Sequence, residues 1–101
     1  MPREFESYRL SRRAEIDLAD IYAYTARNWS ADQANRYIGE IASAITGLVS
    51  GSKIGRKRSD IAAGYLSYTV GSHVIFYRET EHILIARVLH GAMDLPRHLS
   101  P

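Results

Sequence analysis

The fold is decided by residues 28–33, Asn-Trp-Ser-Ala-Asp-Gln (NWSADQ), which lie between two runs of helical periodicity. Ser30 and Gln33 have the spacing of a capping box, in which each side chain hydrogen-bonds the other residue's backbone amide. They predict the start of a second helix, while Asn28 and Trp29 interrupt the pattern of the first. Because about two residues join the helices, they must run antiparallel and share one core. The segment therefore predicts a helical hairpin.

The ends and the buried faces of both helices are also marked in the sequence. Ser11 is a candidate N-cap for the first helix, because its side-chain oxygen can accept from backbone amides of the first turn. Gly51 stands where a C-terminal capping glycine ends the second. Apolar side chains at helical spacing predict the buried stripe of each helix. These are Ala14, Leu18, Ile21, Tyr22 and Thr25 in the first helix, and Ala34, Ile38, Ile41, Ile45 and Leu48 in the second.

The second half of the chain has the period and composition of strands. Residues 65–70, 73–78 and 82–89 are rich in β-branched and aromatic residues, and connections of two and three residues separate them, as in tight hairpins. Residues 4–10 show a weaker strand pattern, and residues 51–64 are predicted to be a loop. In the last strand, Ile83, Ile85 and Arg87 alternate with Leu84, Ala86 and Val88, so both faces are apolar and a central position is expected.

These elements predict an α+β domain that spans residues 1–101. Its N-terminal strand and a three-stranded antiparallel meander form one small sheet, which packs on the helical hairpin. An apolar fraction of 46% with 24% charged residues is typical of a globular protein. The absence of cysteine excludes disulfides and thiolate metal sites. With no long apolar run and no signal-peptide core, we expect a cytoplasmic protein without a membrane segment.

Charge and motif spacing exclude several kinds of chemistry. The net charge of +2 is small, and its excess lies largely at Lys53 and residues 56–58. His73, His82, His90 and His98 lack the close spacing of zinc motifs, so no metal or other cofactor is predicted. A hydrolase triad of Ser72, His90 and Asp94 has no nucleophile-elbow context.

Metal-free RNA cleavage is the enzymatic alternative that the residues leave open. It requires an acid, a base and cations that stabilise the charged phosphorane. Arg78, Arg87 and His90 on neighbouring strands, with Glu79 or Glu81 nearby, could supply these groups. The structural alternative is that Arg87 and His90 pair with Asp94 or cap the end of a strand.

The order and spacing of several short motifs resemble ParE-type toxins of the RelE/ParE superfamily. The motifs are YRLS (8–11), DLADIYAYTARNWS (17–30), QANRYI (33–38), IGRKRSDI (54–61), GY (64–65), SHVIFYR (72–78) and IARVLHGAMDLPRHL (85–99). Arg12 departs from the family at a position where many members have proline, which is favoured but dispensable at the start of a helix. The resemblance implies the toxin of a type II toxin–antitoxin module, neutralised by a ParD-like antitoxin.

The resemblance further implies that the toxin blocks replication by binding DNA gyrase rather than by cutting RNA, as RelE-type members do. RelE-type nucleases have a lysine- and arginine-rich face and a late tyrosine or histidine. Here lysines number only two and no tyrosine follows Tyr77. We therefore expect inhibition by binding, with RNA cleavage as the alternative and a non-toxic scaffold as a third possibility.

Two sets of contact residues are predicted on this basis, with no sequence-specific nucleic-acid binding by the toxin alone. Exposed aromatic side chains on the hairpin are expected to meet the antitoxin. Cationic, donor-rich groups in the basic loop and the C-terminal segment are expected to meet gyrase. The antitoxin set is Tyr24, Trp29 and Tyr37, and the gyrase set is Arg87, His90, Met93, Arg97 and His98 with Arg56, Lys57 and Arg58.

Overall fold

A computed structural model describes residues 4–93 of the chain. The predictions that concern Asp94, Arg97 and His98 lie outside these residues. The elements follow in the order β1 (Tyr8–Leu10), α1 (Arg12–Asn28), α2 (Ala31–Ser50), β2 (Arg56–Lys57), β3 (Leu66–Val70), β4 (His73–Glu79) and β5 (Ile83–His90).

The helical hairpin forms where the NWSADQ segment predicts it. Ser30 has extended backbone angles, and its Oγ accepts from the amide of Gln33 at 3.0 Å. The side chain of Gln33 is turned instead to Arg36, whose guanidinium donates to Oε1 at 3.4 Å. The helix ends at Gly51, whose φ of 81° is the left-handed conformation that glycine adopts without steric cost. Both predicted helix ends of α2 are therefore confirmed.

The sheet differs from the predicted one in two details. Its strand order is β1-β5-β4-β3-β2, with antiparallel pairing from β2 to β5. β1 is instead parallel to β5, with Tyr8 opposite Ile83. Parallel neighbours cannot be joined by a tight hairpin, and here both helices and three strands lie between them in the chain. The predicted 51–64 loop also contains a strand, since Arg56 and Lys57 pair with Ser67 and Leu66. Two charged residues carry no alternating pattern that sequence reasoning could detect.

One face of the sheet packs on the two helices and forms the core. Ile41 and Ile45 of α2 meet Ile75, Tyr77 and Ile85 of the central strands, all nearly inaccessible to solvent. The predicted central position of β5 is confirmed, because it lies between β1 and β4.

A β-bulge in β5 changes which side chains face the helices. Phe76 pairs with Arg87 but Tyr77 pairs with Ile85, so Ala86 is an extra residue. As a result Ile85 and Val88, three residues apart, both belong to the helix-facing core. The simple alternation predicted for this strand is therefore wrong beyond Ile85. Ser11 ties α1 to the bulge, since its hydroxyl donates to the Ala86 carbonyl at 2.7 Å.

Candidate functional site

Arg87 is held by an ion pair between β5 and α1. Its Nε and a terminal nitrogen donate to the two carboxylate oxygens of Asp17 at 2.8 and 2.9 Å, and the Val88 amide donates to the same carboxylate at 2.9 Å. The side chains of Arg87 and Asp17 are only 12% and 11% exposed. Hydrogen bonding to Asp17 raises the pKa of Arg87 above its ordinary value. Arg87 therefore links α1 to β5, beyond the residues of β5 that pair with β1.

A groove of about 540 Å³ opens between the helical hairpin and the ends of β4 and β5, and we call it the helix–sheet groove. Asp20 and Tyr24 lie one helical turn apart on α1, and Trp29 follows at the turn between the helices. Tyr37 of α2 lines the opposite wall, and His73 and His90 line the floor. All three residues predicted to contact the antitoxin thus meet in one groove.

Two aromatic rings of this groove are strongly exposed. Trp29 is 69% exposed and Tyr24 is 56% exposed, and their ring centroids lie 6.2 Å apart at a tilt of 54°. Exposed tryptophan and tyrosine are favoured anchors in protein interfaces, because they bury a large area at a small entropic cost. Trp29 is the first of the two residues that connect α1 to α2, and Tyr24 lies near the end of α1.

The groove floor contains a hydrogen-bonded pair and two histidine rings in edge-to-face contact. The hydroxyl of Tyr37 donates to the Val70 carbonyl at 3.1 Å and lies 2.6 Å from Nδ1 of His73. His73 is directly opposite His90 in the β4–β5 ladder, and the two rings meet edge to face at 5.5 Å. Burial and, secondly, the neighbouring His90 lower the pKa of His73 below its usual value. The imidazole of His73 is therefore neutral at pH 7.

This lowered pKa predicts a loss of stability on acidification. Below pH 6.5 the unfolded chain protonates His73 more readily than the folded chain, so the free energy of unfolding falls until the lower folded pKa is passed. Urea unfolding of the wild type should therefore show decreasing stability between pH 7.5 and the folded pKa of His73. His73→Gln should flatten this part of the profile, and an unchanged slope in that variant would contradict the assignment.

The basic strand β2 forms a separate surface at the far edge of the sheet. Arg58 is engaged there, because its guanidinium bonds Asp60 at 3.1 and 3.0 Å and lies 5.8 Å from the centroid of the Phe76 ring. Arg56 and Lys57 are exposed, and neither forms a salt bridge within residues 4–93. Of the three cations predicted to contact gyrase from this loop, Arg56 and Lys57 are therefore accessible to a partner.

The strand is anchored to the core just before its first residue. The Gly55 amide donates to the hydroxyl of Tyr77 at 2.9 Å. A Cβ atom at position 55 would overlap that hydroxyl, so glycine is required for this close approach. The basic edge is therefore held on a buried side chain rather than on a loose loop.

The three residues of the nuclease alternative do not converge. Arg78 pairs with Leu84 at one end of the β4–β5 ladder, whereas His90 is at the other end opposite His73. Arg78 is five positions from His73 along β4, which is roughly 17 Å at about 3.3 Å per residue. Arg78 lies over the Tyr65 ring at 5.8 Å, and Arg87 is bound to Asp17.

The predicted contact residue Met93 also lies within the described residues. Met93 is 38% exposed, and its amide donates to the His90 carbonyl at 3.0 Å, so it lies next to the groove floor. Between residues 4 and 93, no three histidine, aspartate or glutamate side chains are grouped in a way that could hold a metal ion. None of the helices in this part of the chain is both long and apolar enough to span a membrane.

Sequence reasoning did not assign a role to Asp20 or His73. Asp20 is four residues before Tyr24, a spacing that places both on one face of a helix, and this signal was available. His73 reaches the groove only through its pairing with β5, which no local pattern specifies.

The strand order and the helical hairpin define a small α+β fold. A solved structure described as the chromosomal ParDE TA system from P. aeruginosa has the same fold, with a TM-score of 0.72 over 85% of this chain and 95% of that chain, at 19% identity. The family described as ParE toxin of type II toxin-antitoxin system, parDE, matches residues 8–95, and the chain belongs to it.

Curated relatives agree with this assignment. The chain is 40% identical over 92 residues to Toxin ParE1 of Caulobacter vibrioides, an alignment that covers 91% of this chain and 96% of the relative. It is 39% identical over 94 residues to Toxin ParE1 of Mycobacterium tuberculosis, with the same coverage, and 32% identical over 96 residues to Toxin ParE of Escherichia coli, with 93% of each chain covered. The resemblance inferred from the sequence motifs is confirmed.

Proposed function

We propose that this ParE toxin inhibits DNA gyrase by binding it, and that a ParD-type antitoxin neutralises the toxin by occupying the helix–sheet groove. The observation that carries the second part is the groove itself, where Tyr24, Trp29 and Tyr37 present aromatic surface without a covering segment in residues 4–93. An amphipathic antitoxin segment would bury this surface, a recurring mode of peptide recognition.

The gyrase contact is assigned to the basic edge formed by Arg56 and Lys57. Both side chains are exposed on a strand that Gly55 fixes to Tyr77, so their charges are presented from a rigid backbone. Such cations suit an acidic protein surface close to DNA. His90 and Met93 at the groove floor are a second candidate contact, and Arg97 and His98 remain predictions from the sequence.

Arg87 is less suited to a target contact than the sequence suggests. Its guanidinium is largely buried and already bonded to both carboxylate oxygens of Asp17. Binding gyrase through Arg87 would require this pair to open. The separation of Arg78 from His90 likewise favours inhibition by binding over RNA cleavage, because an acid–base mechanism needs its groups on one phosphate.

Supercoiling by purified gyrase, measured as a function of toxin concentration, tests the target. We expect the wild-type chain to inhibit supercoiling and Arg56→Ala/Lys57→Ala to require about tenfold more protein, since two rim charges are each worth up to about 1 kcal/mol. Arg12→Ala/Arg13→Ala is the matched control, because it removes two exposed cations from the start of α1. This control should inhibit like the wild type.

Transcript integrity after brief expression in cells is the second measurement. Intact messenger RNA together with gyrase inhibition would support the proposal. Rapid transcript cleavage with normal supercoiling would instead identify an RNA-cutting toxin. Equal inhibition by the wild type and the Arg56→Ala/Lys57→Ala variant would keep gyrase as the target but move the contact away from β2.

A further inference from the structure

The charged residue that lines the helix–sheet groove is an acidic one. Asp20 contributes a carboxylate to the groove lining. Among the residues that the structure describes, no lysine or arginine lines the groove. The Asp20 side chain is exposed, and no cation of residues 4–93 forms a salt bridge with it. The neighbouring Asp17 is satisfied by Arg87 and the Val88 amide. One unpaired negative charge therefore stands at the rim of an otherwise aromatic groove.

Asp20 lines the same groove as the two exposed aromatic rings. Asp20 and Tyr24 project from the same face of α1, one turn apart. Trp29 lies next to Tyr24 at 6.2 Å between ring centroids, and both rings are more than half exposed. Aromatic faces attract cations through their quadrupole, and an adjacent carboxylate adds a charge-assisted hydrogen bond.

His73 on the groove floor does not oppose a cation at neutral pH. His73 accepts no proton readily, because burial and His90 lower its pKa, and Nδ1 is engaged by Tyr37. The ring of His73 also packs against His90 and Tyr37 at 5.5 and 5.4 Å between centroids, so it is fixed away from the rim. The rim and the floor are thus chemically distinct halves of one groove.

We propose that Asp20, Tyr24 and Trp29 form a receptor for one arginine side chain of the antitoxin segment. The proposal rests on the proposed function, in which that segment occupies the groove. Arginine is favoured over lysine because its planar guanidinium stacks on an aromatic ring while donating two parallel bonds to a carboxylate. The aromatic walls would supply affinity for any apolar segment, whereas the Asp20 receptor fixes its register and selects among antitoxins.

Affinity for synthetic peptides that span the toxin-binding segment of the ParD-type antitoxin tests this receptor. Asp20→Asn should weaken binding about tenfold to a hundredfold, the range expected for hydrogen bonds to a charged group. Glu40→Gln, which removes an exposed carboxylate of α2 that does not line the groove, should change affinity less than twofold. Thermal unfolding of both variants should match the wild type, because neither carboxylate forms a salt bridge within residues 4–93.

Peptides in which single arginines are replaced by citrulline, a neutral isostere, identify the partner group. One such peptide should bind the wild type about tenfold more weakly, yet bind Asp20→Asn no more weakly than the unmodified peptide does. Coupling at one position in this cycle would establish the contact.

Two further outcomes separate this inference from the proposed function. If Trp29→Ala weakens binding but Asp20→Asn and every citrulline peptide bind like their parents, the groove holds the antitoxin and the arginine receptor is wrong. If Trp29→Ala also binds with unchanged affinity, the groove is not the antitoxin site and both proposals are overturned.

Discussion

Replacing Asp17 with alanine is expected to lower the free energy of unfolding by about 3–5 kcal/mol, the range for breaking a buried ion pair from one side. The substitution leaves the Arg87 guanidinium largely buried without its carboxylate, and it also removes the acceptor of the Val88 amide. Urea unfolding followed by circular dichroism measures the effect. Asp20→Ala is the matched control on the same helix, and it should change stability by about 0.5 kcal/mol or less.

The companion substitution Asp17→Ala/Arg87→Met distinguishes the ion pair from simple packing. Because an apolar side chain of similar length does not need the Asp17 carboxylate, the double variant should be more stable than Asp17→Ala alone. Losses that add up from the two single variants would show that the pair contributes no coupling. A loss below about 1 kcal/mol for Asp17→Ala would place the pair in the range of surface salt bridges.

This result decides how substitutions of Arg87 should be interpreted. A toxin that lacks Arg87 would lose activity because less of it is folded, and a growth assay alone would misread this loss as a missing gyrase contact. Toxicity of Arg87 variants therefore has to be compared at equal folded concentration. Arg56→Ala/Lys57→Ala needs no such correction, because both side chains are exposed.

The helical hairpin could be predicted from the sequence because its signals are local. Ser30, Gln33 and Gly51 act within one turn of their own helix ends, so no knowledge of the sheet is required. The meeting of Tyr24, Trp29 and Tyr37 in one groove follows from the same hairpin. The parallel pairing of β1 with β5 joins residues more than seventy positions apart, and no local pattern specifies it.

The role of Arg87 illustrates the same limit within a single strand. Its sequence neighbours alternate well enough to suggest a regular strand, and no glycine or proline marks the bulge. The extra residue becomes visible only through the register with Phe76 and Tyr77 of β4. It is this register shift, together with a carboxylate supplied by α1, that converts an expected surface cation into a link between helix and sheet.

Trp29→Ala is expected to weaken antitoxin binding by about 2–4 kcal/mol, or roughly 30-fold to 1,000-fold in dissociation constant. The indole is 69% exposed in the chain alone and packs mainly on Tyr24, so folding should lose little when it is removed. In the proposed complex the same ring would be covered, and its whole apolar area would contribute. Anisotropy of a fluorescently labelled antitoxin, titrated with each toxin variant, measures the difference.

Tyr22→Ala is the matched control, because Tyr22 is a partly exposed aromatic residue on α1 that does not line the groove. Gyrase inhibition by Trp29→Ala should equal that of the wild type, since Trp29 and β2 belong to different surfaces. Co-expressed antitoxin should then rescue cells from the wild-type toxin and from Tyr22→Ala but not from Trp29→Ala. Rescue from all three, or a Trp29→Ala toxin that is harmless without antitoxin, would contradict the assignment of neutralisation and inhibition to separate surfaces.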